Sequence, residues 1–337
     1  MRGGLILGSA RCGSTLVSRI LRLHPDILSV SELFATMGPH AFRPARLDGA
    51  RFWASLSTPS RAMAKVANPD AAPSEFLYGR VPSPAHDPFL CPPLLAVTLP
   101  HLSGDPDRLF AALGPAIRAR GEAPLADQYR ALFHDLAQAV GGRGVWVERS
   151  GGSLVAAGTL RAMFPEARPV LLLRDGAETA LSMRDYPAAR LAIWCWRHLG
   201  RLGIDLLHPT RHFGRGAVWP VVAAISGRVG LGRILNRRPG LQDAGAFWSA
   251  VTMAGLRGLA GAAPLVLRHD ALCRKPVPAI RTLGDYLAGT APEAWVTQAA
   301  ALPQARPSRL AGLSGAERET LERACAPGEQ AIRDFLG

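Results

Sequence analysis

Two groups of residues in this chain have types and spacings suited to holding an anion. The first is Gly8-Ser9-Ala10-Arg11-Cys12-Gly13-Ser14-Thr15, which follows the short apolar run Leu5–Leu7 and opens a helical pattern. In such a strand-to-helix turn, backbone amides and the open amides of the helix start converge on one point and hold negative charge. Gly8 and Gly13 permit the tight turn and close backbone approach. Ser14 and Thr15 add hydroxyl donors, and Arg11 adds a planar, always-charged fork. The second group is Arg174 and Ser182 in Val170-Leu171-Leu172-Leu173-Arg174-Asp175-Gly176-Ala177-Glu178-Thr179-Ala180-Leu181-Ser182-Met183. Arg174 ends an apolar run, at the place where open α/β sheets bind ligands. Ser182 falls about two turns into the next helix and can reach the same anion.

These residues need strands and helices to hold them. Four apolar runs read as buried parallel strands: Leu5–Leu7, Val145–Val147, Pro169–Leu173 and Pro264–Leu267. Helical patterns follow from Gly13 or Ser14 to Leu23, over 153–164, after Asp175, over 276–288 and over 314–336. Strand followed by helix, repeated, predicts a three-layer α/β domain with a central, mostly parallel sheet. The length of 337 residues suits one such domain, 1–337. Residues 35–144 and 185–243 do not follow this grammar. The first stretch begins proline-rich and turns helical near 107–140. The second lies within 185–246, which carries nine arginines against three acids. Both read as helical insertions covering the side of the site where an acceptor enters.

Basic residues outnumber acidic ones by 39 to 26, and all but Lys65 and Lys275 are arginine. Such an excess also follows from base composition, so placement rather than the total must decide its meaning. No basic stretch is interleaved with stacking aromatics in the manner of a nucleic-acid module, so no nucleic-acid partner is expected. The five cysteines are widely spaced and form no CxxC pair, which argues against a zinc ribbon or a disulfide framework. No apolar run reaches the roughly 20 residues that span a bilayer. A cytoplasmic protein without a transmembrane segment is expected.

The phosphate loop of nucleoside triphosphatases reads GxxxxGK[ST]. Gly8 and Gly13 match its spacing, but Ser14 stands at the lysine position and the cation has moved inside the loop as Arg11. The strand over 169–173 ends in an arginine, where a triphosphatase would want an acid to help hold magnesium. Both departures suit a donor that needs no metal. A metal-dependent small-molecule kinase, and a nucleotide-binding relative that has lost turnover, are the alternatives.

At this point the chain resembles the sulfotransferases that use 3′-phosphoadenosine-5′-phosphosulfate (PAPS), a family with a P-loop-like fold. Their 5′-phosphosulfate loop is similar to Gly8–Thr15, with Ala10 and Cys12 replacing the usual proline and hydroxyl residue. Their 3′-phosphate motif is similar to Arg174 and Ser182. His24-Pro25-Asp26 followed by Glu32, and the Arg174–Met183 segment, look like the tyrosylprotein and bacterial branch. The resemblance implies PAPS as donor, 3′,5′-adenosine bisphosphate (PAP) as product, and a hydroxyl acceptor. A tyrosine, a glycan and a small metabolite all remain open, and the basic insertion hints at an acidic one. It further implies Glu32 as general base, with His24, His86 and His101 as alternatives, and Arg11 and Arg149 at the transferred group. Arg11, Cys12, Gly13, Ser14, Thr15, Arg174 and Ser182 would bind the nucleotide, and Arg306, Ser308 and Arg309 would close over it.

Overall fold

The computed structural model describes residues 1–60, 76–208, 231–305 and 307–337. Among the described residues seven strands form in chain order: β1 Arg2–Gly8, β2 Ile27–Ser31, β3 Arg46–Leu47, β4 Ala123–Pro124, β5 Val145–Arg149, β6 Ala167–Leu173 and β7 Leu265–Arg268. Five of them make one sheet in the order β2-β5-β1-β6-β7, and every pairing in it is parallel. β3 and β4 make a small antiparallel ribbon. All four strands expected from apolar runs are present. β2 is an addition: its serines, Ser29 and Ser31, interrupt the apolar pattern. Both are buried, and their polar groups find partners on other elements; Ser29 Oγ donates to the Ser18 carbonyl (3.1 Å) and Ser31 Oγ accepts from Arg149 Nη2 (2.8 Å).

Alternation along the central strand separates two cores. Leu5 and Leu7 face one apolar cluster with Trp146, Phe164 and Trp248; Ile6 faces the other with Val17, Ile20, Val147 and Leu172. The helix Ser14–Arg22 lies over the second face and buries Val17, Ile20 and Leu21, the i, i+3, i+4 stripe of an amphipathic helix. Helices Pro276–Ala288 and Glu293–Ala300 complete that layer, where Trp295 donates from Nε1 to the Ile20 carbonyl (2.9 Å). The helices Leu125–Ala139, Gly176–Arg184, Leu241–Gly258 and Gly315–Leu336 build the opposite layer. Helices on both faces of a parallel sheet, with the Gly8–Thr15 turn leaving its central strand, make the fold the expected P-loop-like three-layer α/β arrangement.

Strand register brings the site together. Ile6 pairs with Arg149, Ser31 with Arg149, Gly8 with Leu172 and Leu173 with Arg268. The carboxyl ends of all five strands therefore lie along one edge of the sheet, where open α/β sheets bind ligands. Side-chain caps fix the starts of two helices in the layer that holds Trp248. Asp175 accepts from the Glu178 amide (2.8 Å) and starts the helix Gly176–Arg184. Ser314 and Glu317 form a reciprocal capping box at the start of the terminal helix. Among the described residues no helix is long and apolar enough to cross a membrane.

Candidate functional site

A cavity of about 1510 Å³ opens at the carboxyl edge of the sheet and is lined from the segments that follow all five strands. The turn after β1 forms its floor. Ala10 (φ 66°), Arg11 (φ 55°) and Gly13 (φ 97°) all take left-handed backbone conformations. For the two non-glycine residues this costs about 1–3 kcal/mol each, a strain typically concentrated at ligand clamps. At Gly13 the conformation is needed twice over: a Cβ there would also stand 2.1 Å from His269 Cδ2. Ser14 then starts the helix, and Ser9, Ala10, Arg11, Ser14 and Thr15 all reach the cavity.

Cys12 takes the other direction. Its side chain is 1 % exposed, and its Sγ would lie 2.4 Å from a Cβ on Gly8. Burial pushes the thiol up to about 11, so only the Cys12 backbone can serve an anion in this loop.

Both predicted anion motifs meet here. Arg11 Nε donates to Ser182 Oγ (3.2 Å), and the Arg11 guanidinium lies 4.4 Å from the ring centroid of Tyr186. Arg174 Nη1 donates to the Arg11 carbonyl (3.2 Å), while its Nη2 faces Glu178 Oε2 (3.3 Å). Ser308 donates to Glu178 Oε1, and the Arg309 amide donates to the same oxygen (2.9 Å). Arg309 Nη1 pairs with Asp185 Oδ2 (3.0 Å). The late loop thus reaches the mouth of the cavity through Pro307, Ser308 and Arg309. Arg306 lies outside the described residues.

Glu32 follows β2 in a left-handed conformation (φ 59°) that turns its carboxylate into the cavity. Oε1 accepts from Arg149 Nη1, and Oε2 accepts from the Gly151 amide (2.7 Å). Two oxygens offer about four lone-pair sites, so accepting capacity is left on the cavity side. Arg149 itself stands behind Glu32 rather than in the cavity. It is 2 % exposed, and it donates from Nε to Ser18 Oγ (2.7 Å) and from Nη2 to Ser31 Oγ (2.8 Å). Arg149 is not among the residues lining the cavity, and its guanidinium is bonded to Glu32, Ser18 and Ser31.

The three histidines lie elsewhere. His24 sits at the opposite end of β2, packed edge-on against Trp295 and bonded to the Thr290 carbonyl (3.2 Å). His86 packs against Phe110. His101 is buried beside Ser29 Oγ (3.2 Å), and its burial lowers it to about 3. None of the three lines the cavity.

Four features were not read from the sequence. Ser150 accepts from the amides of Phe34 (3.1 Å) and Ala35 (3.2 Å), and donates to the buried carboxyl of Glu148 (2.5 Å). Burial raises that carboxyl to about 8, so the start of the helix carrying Glu32's neighbours rests on a protonatable group. Tyr186 shelves Arg11, Glu178 anchors the late loop, and His269 with Cys273 (3.7 Å apart) lines the wall over Gly13. Only Tyr186 had a local signal, standing just before Pro187 at a helix start. Among the described residues no group of three or more histidine, cysteine or acidic side chains could hold a metal ion.

The model of the sulfotransferase family matches residues 5–207, a span containing Gly8–Thr15, Glu32, Arg149, Arg174 and Ser182. No curated protein matches the chain. Among solved structures, a sulfotransferase domain from the curacin biosynthetic pathway is 11% identical with a TM-score of 0.45, over 99% of this chain and 98% of that one. Sulfotransferase STF9 from Mycobacterium avium is 15% identical with a TM-score of 0.42, over 96% of this chain and 75% of that one. A sulfotransferase from Alicyclobacillus acidocaldarius is 15% identical with a TM-score of 0.42, over 99% and 96%. The family match spans more than half of the chain and holds the residues that line the cavity floor: the chain belongs to the sulfotransferase family.

Proposed function

We propose that this protein transfers a sulfuryl group from PAPS to a hydroxyl acceptor, with Glu32 as the base. The observation that carries the reading is the meeting of two anion-binding elements in one cavity: Arg11 is bonded to Ser182, and Arg174 is bonded to the turn that holds Arg11. A donor with anionic groups at both the 5′ and 3′ positions of its ribose fits such a pair of holders. Family membership supports the same donor.

Arg11, Ser14 and Thr15, with the turn's amides, would hold the 5′-phosphate and meet the charge that grows on it. One such preorganised donor is typically worth about 10²–10³ in rate. Arg174 and Ser182 would hold the 3′-phosphate, and Ser308 and Arg309 would close the mouth. When bound, the donor supplies the activated group: its bond from sulfur to phosphate oxygen breaks as the acceptor oxygen bonds to sulfur, leaving PAP. Glu32 takes the proton lost by the acceptor hydroxyl. Arg149, Ser18 and Ser31 keep the Glu32 carboxylate aimed at that position. The insertions 35–144 and 185–243 contribute residues to the acceptor side of the cavity. The five cysteines are free, which suits a reducing, cytoplasmic setting.

Titration calorimetry of the full chain with PAP and with magnesium-ATP tests the donor. Saturable PAP binding is expected; binding of magnesium-ATP alone would overturn the reading.

A further inference from the structure

Among the described residues, the two insertions bring many charged side chains to the fold, yet none to the cavity. The stretch 35–144 contributes Phe42, Phe76 and Val97 to the lining with three small residues, and 185–243 contributes Ala188, Ala192 and Leu206 with Ala189 and Tyr186. Not one of these carries a charge. Phe34, Phe247 and Val251 extend the same apolar wall. Three of the arginines that hinted at an acidic acceptor are engaged elsewhere. Arg190 donates to the carbonyls of Arg184 and Leu235, Arg197 pairs with Asp243, and Arg238 pairs with Asp185. None of them lines this cavity.

Three of the hydroxyls that line the cavity already donate to protein oxygens. Thr36 Oγ1 donates to the Leu33 carbonyl (3.1 Å), Ser150 Oγ to Glu148 and Ser153 Oγ to the Ile6 carbonyl (3.0 Å). A peptide with acidic side chains, or a sugar ring with several hydroxyls, would leave water here without receiving equivalent partners, at a cost of about 1–3 kcal/mol for each unmatched polar group. An apolar body gains on the same transfer, by about 25 cal/mol per Å² buried. The whole cavity of about 1510 Å³ also exceeds the roughly 300–1,000 Å³ of a single-ligand pocket, which leaves room for a second molecule beside a nucleotide.

Resting on the sulfuryl-transfer reading above, we infer that the acceptor is a neutral alcohol or phenol with an extended apolar body. Its one hydroxyl meets Glu32, and its apolar body lies against Phe34, Phe42, Phe247 and Val251. Ala188 and Ala192 are one turn apart on the helix Pro187–His198 and half-buried, so a carboxylate at either would enter the cavity with little strain on the fold.

The test uses the full chain and three readouts, the first of them with PAP bound. Nile red, a neutral apolar probe, should bind saturably, and Ala192→Glu and Ala188→Glu should each weaken it at least about tenfold while leaving PAP affinity unchanged. With labelled PAPS, 1-dodecanol should be sulfated in preference to an acidic tyrosine peptide and a disaccharide. Preference for the peptide or the disaccharide, or Nile red binding that neither variant weakens, would overturn the inference while the donor assignment stood. Failure of the wild type to bind PAP would instead overturn the donor assignment, and the inference with it.

Discussion

Arg174 donates from Nη1 to the backbone carbonyl of Arg11 (3.2 Å), so a strand-end guanidinium is aimed at the mouth of a turn 163 residues away in sequence. That aim lets one extended anion touch both elements. Burial lowers the Arg174 guanidinium below its ordinary value, although Glu178 opposes the shift. A partly desolvated cation of this kind binds phosphate more strongly than one in water.

Arg174→Ala should therefore weaken PAP at least about tenfold and leave adenosine 5′-phosphosulfate within about twofold. Calorimetry with both ligands checks this. Equal losses for the two would contradict the assignment of Arg174 to the 3′-phosphate.

Glu32→Gln keeps the side chain's shape and its place beside Arg149. Turnover should fall by about 10²–10⁴, the usual worth of a positioned base, with PAP affinity unchanged. Turnover near the wild-type rate would remove Glu32 from the proton step.

Arg149→Met should lower both stability and turnover while sparing PAP affinity. The pair is buried, with side chains 3% and 15% exposed, and removing one partner of a buried pair costs about 3–5 kcal/mol. Urea unfolding gives the first quantity and single-turnover transfer the second. A raised PAP dissociation constant with normal transfer would place Arg149 in the nucleotide site instead.

Gly13→Ala should abolish PAP binding in a protein that still folds. The residue is left-handed, and a Cβ would strike the His269 ring, so the turn or the His269 wall must move. Circular dichroism with calorimetry separates lost binding from lost fold. An alanine variant that binds PAP normally would show that the cradle does not depend on this conformation.

Stability should peak on a plateau between about pH 4.5 and 6.5. His101 is lowered to about 3 from 6.5, so the unfolded chain binds the extra proton in that window and stability falls as pH drops through it. Glu148 is raised to about 8 from 4.5, so the folded chain binds the extra proton in its window and stability falls as pH rises through it. Each slope is about 1.4 kcal/mol per pH unit, and the two cancel where the windows overlap. Urea midpoints against pH should show Glu148→Gln flattening the decline above 6.5 and His101→Gln flattening the one below 4.5. Unchanged profiles in both variants would assign the pH dependence to other groups.

The sequence by itself determined the parts whose physics is local. The turn Gly8–Thr15, the strand that leads into Arg174 and the helix carrying Ser182 follow from periodicity, glycine placement and capping within a few residues. The helix Pro276–Ala288 kept its expected bounds for the same reason. Only the tertiary structure decided the rest. β2 was hidden because its serines break the apolar run, and their satisfaction depends on Ser18, Thr98 and His101 brought in from other elements. Whether Arg149 touches a substrate or holds Glu32 depends on the register of β2 against β5, which sets Ser31 beside Arg149. Arg190, Arg197 and Arg238 stay out of the cavity lining because Asp185, Asp243 and backbone carbonyls engage them. Such competition is settled by which distant groups the fold holds at hydrogen-bonding distance, and a linear sequence does not contain those distances.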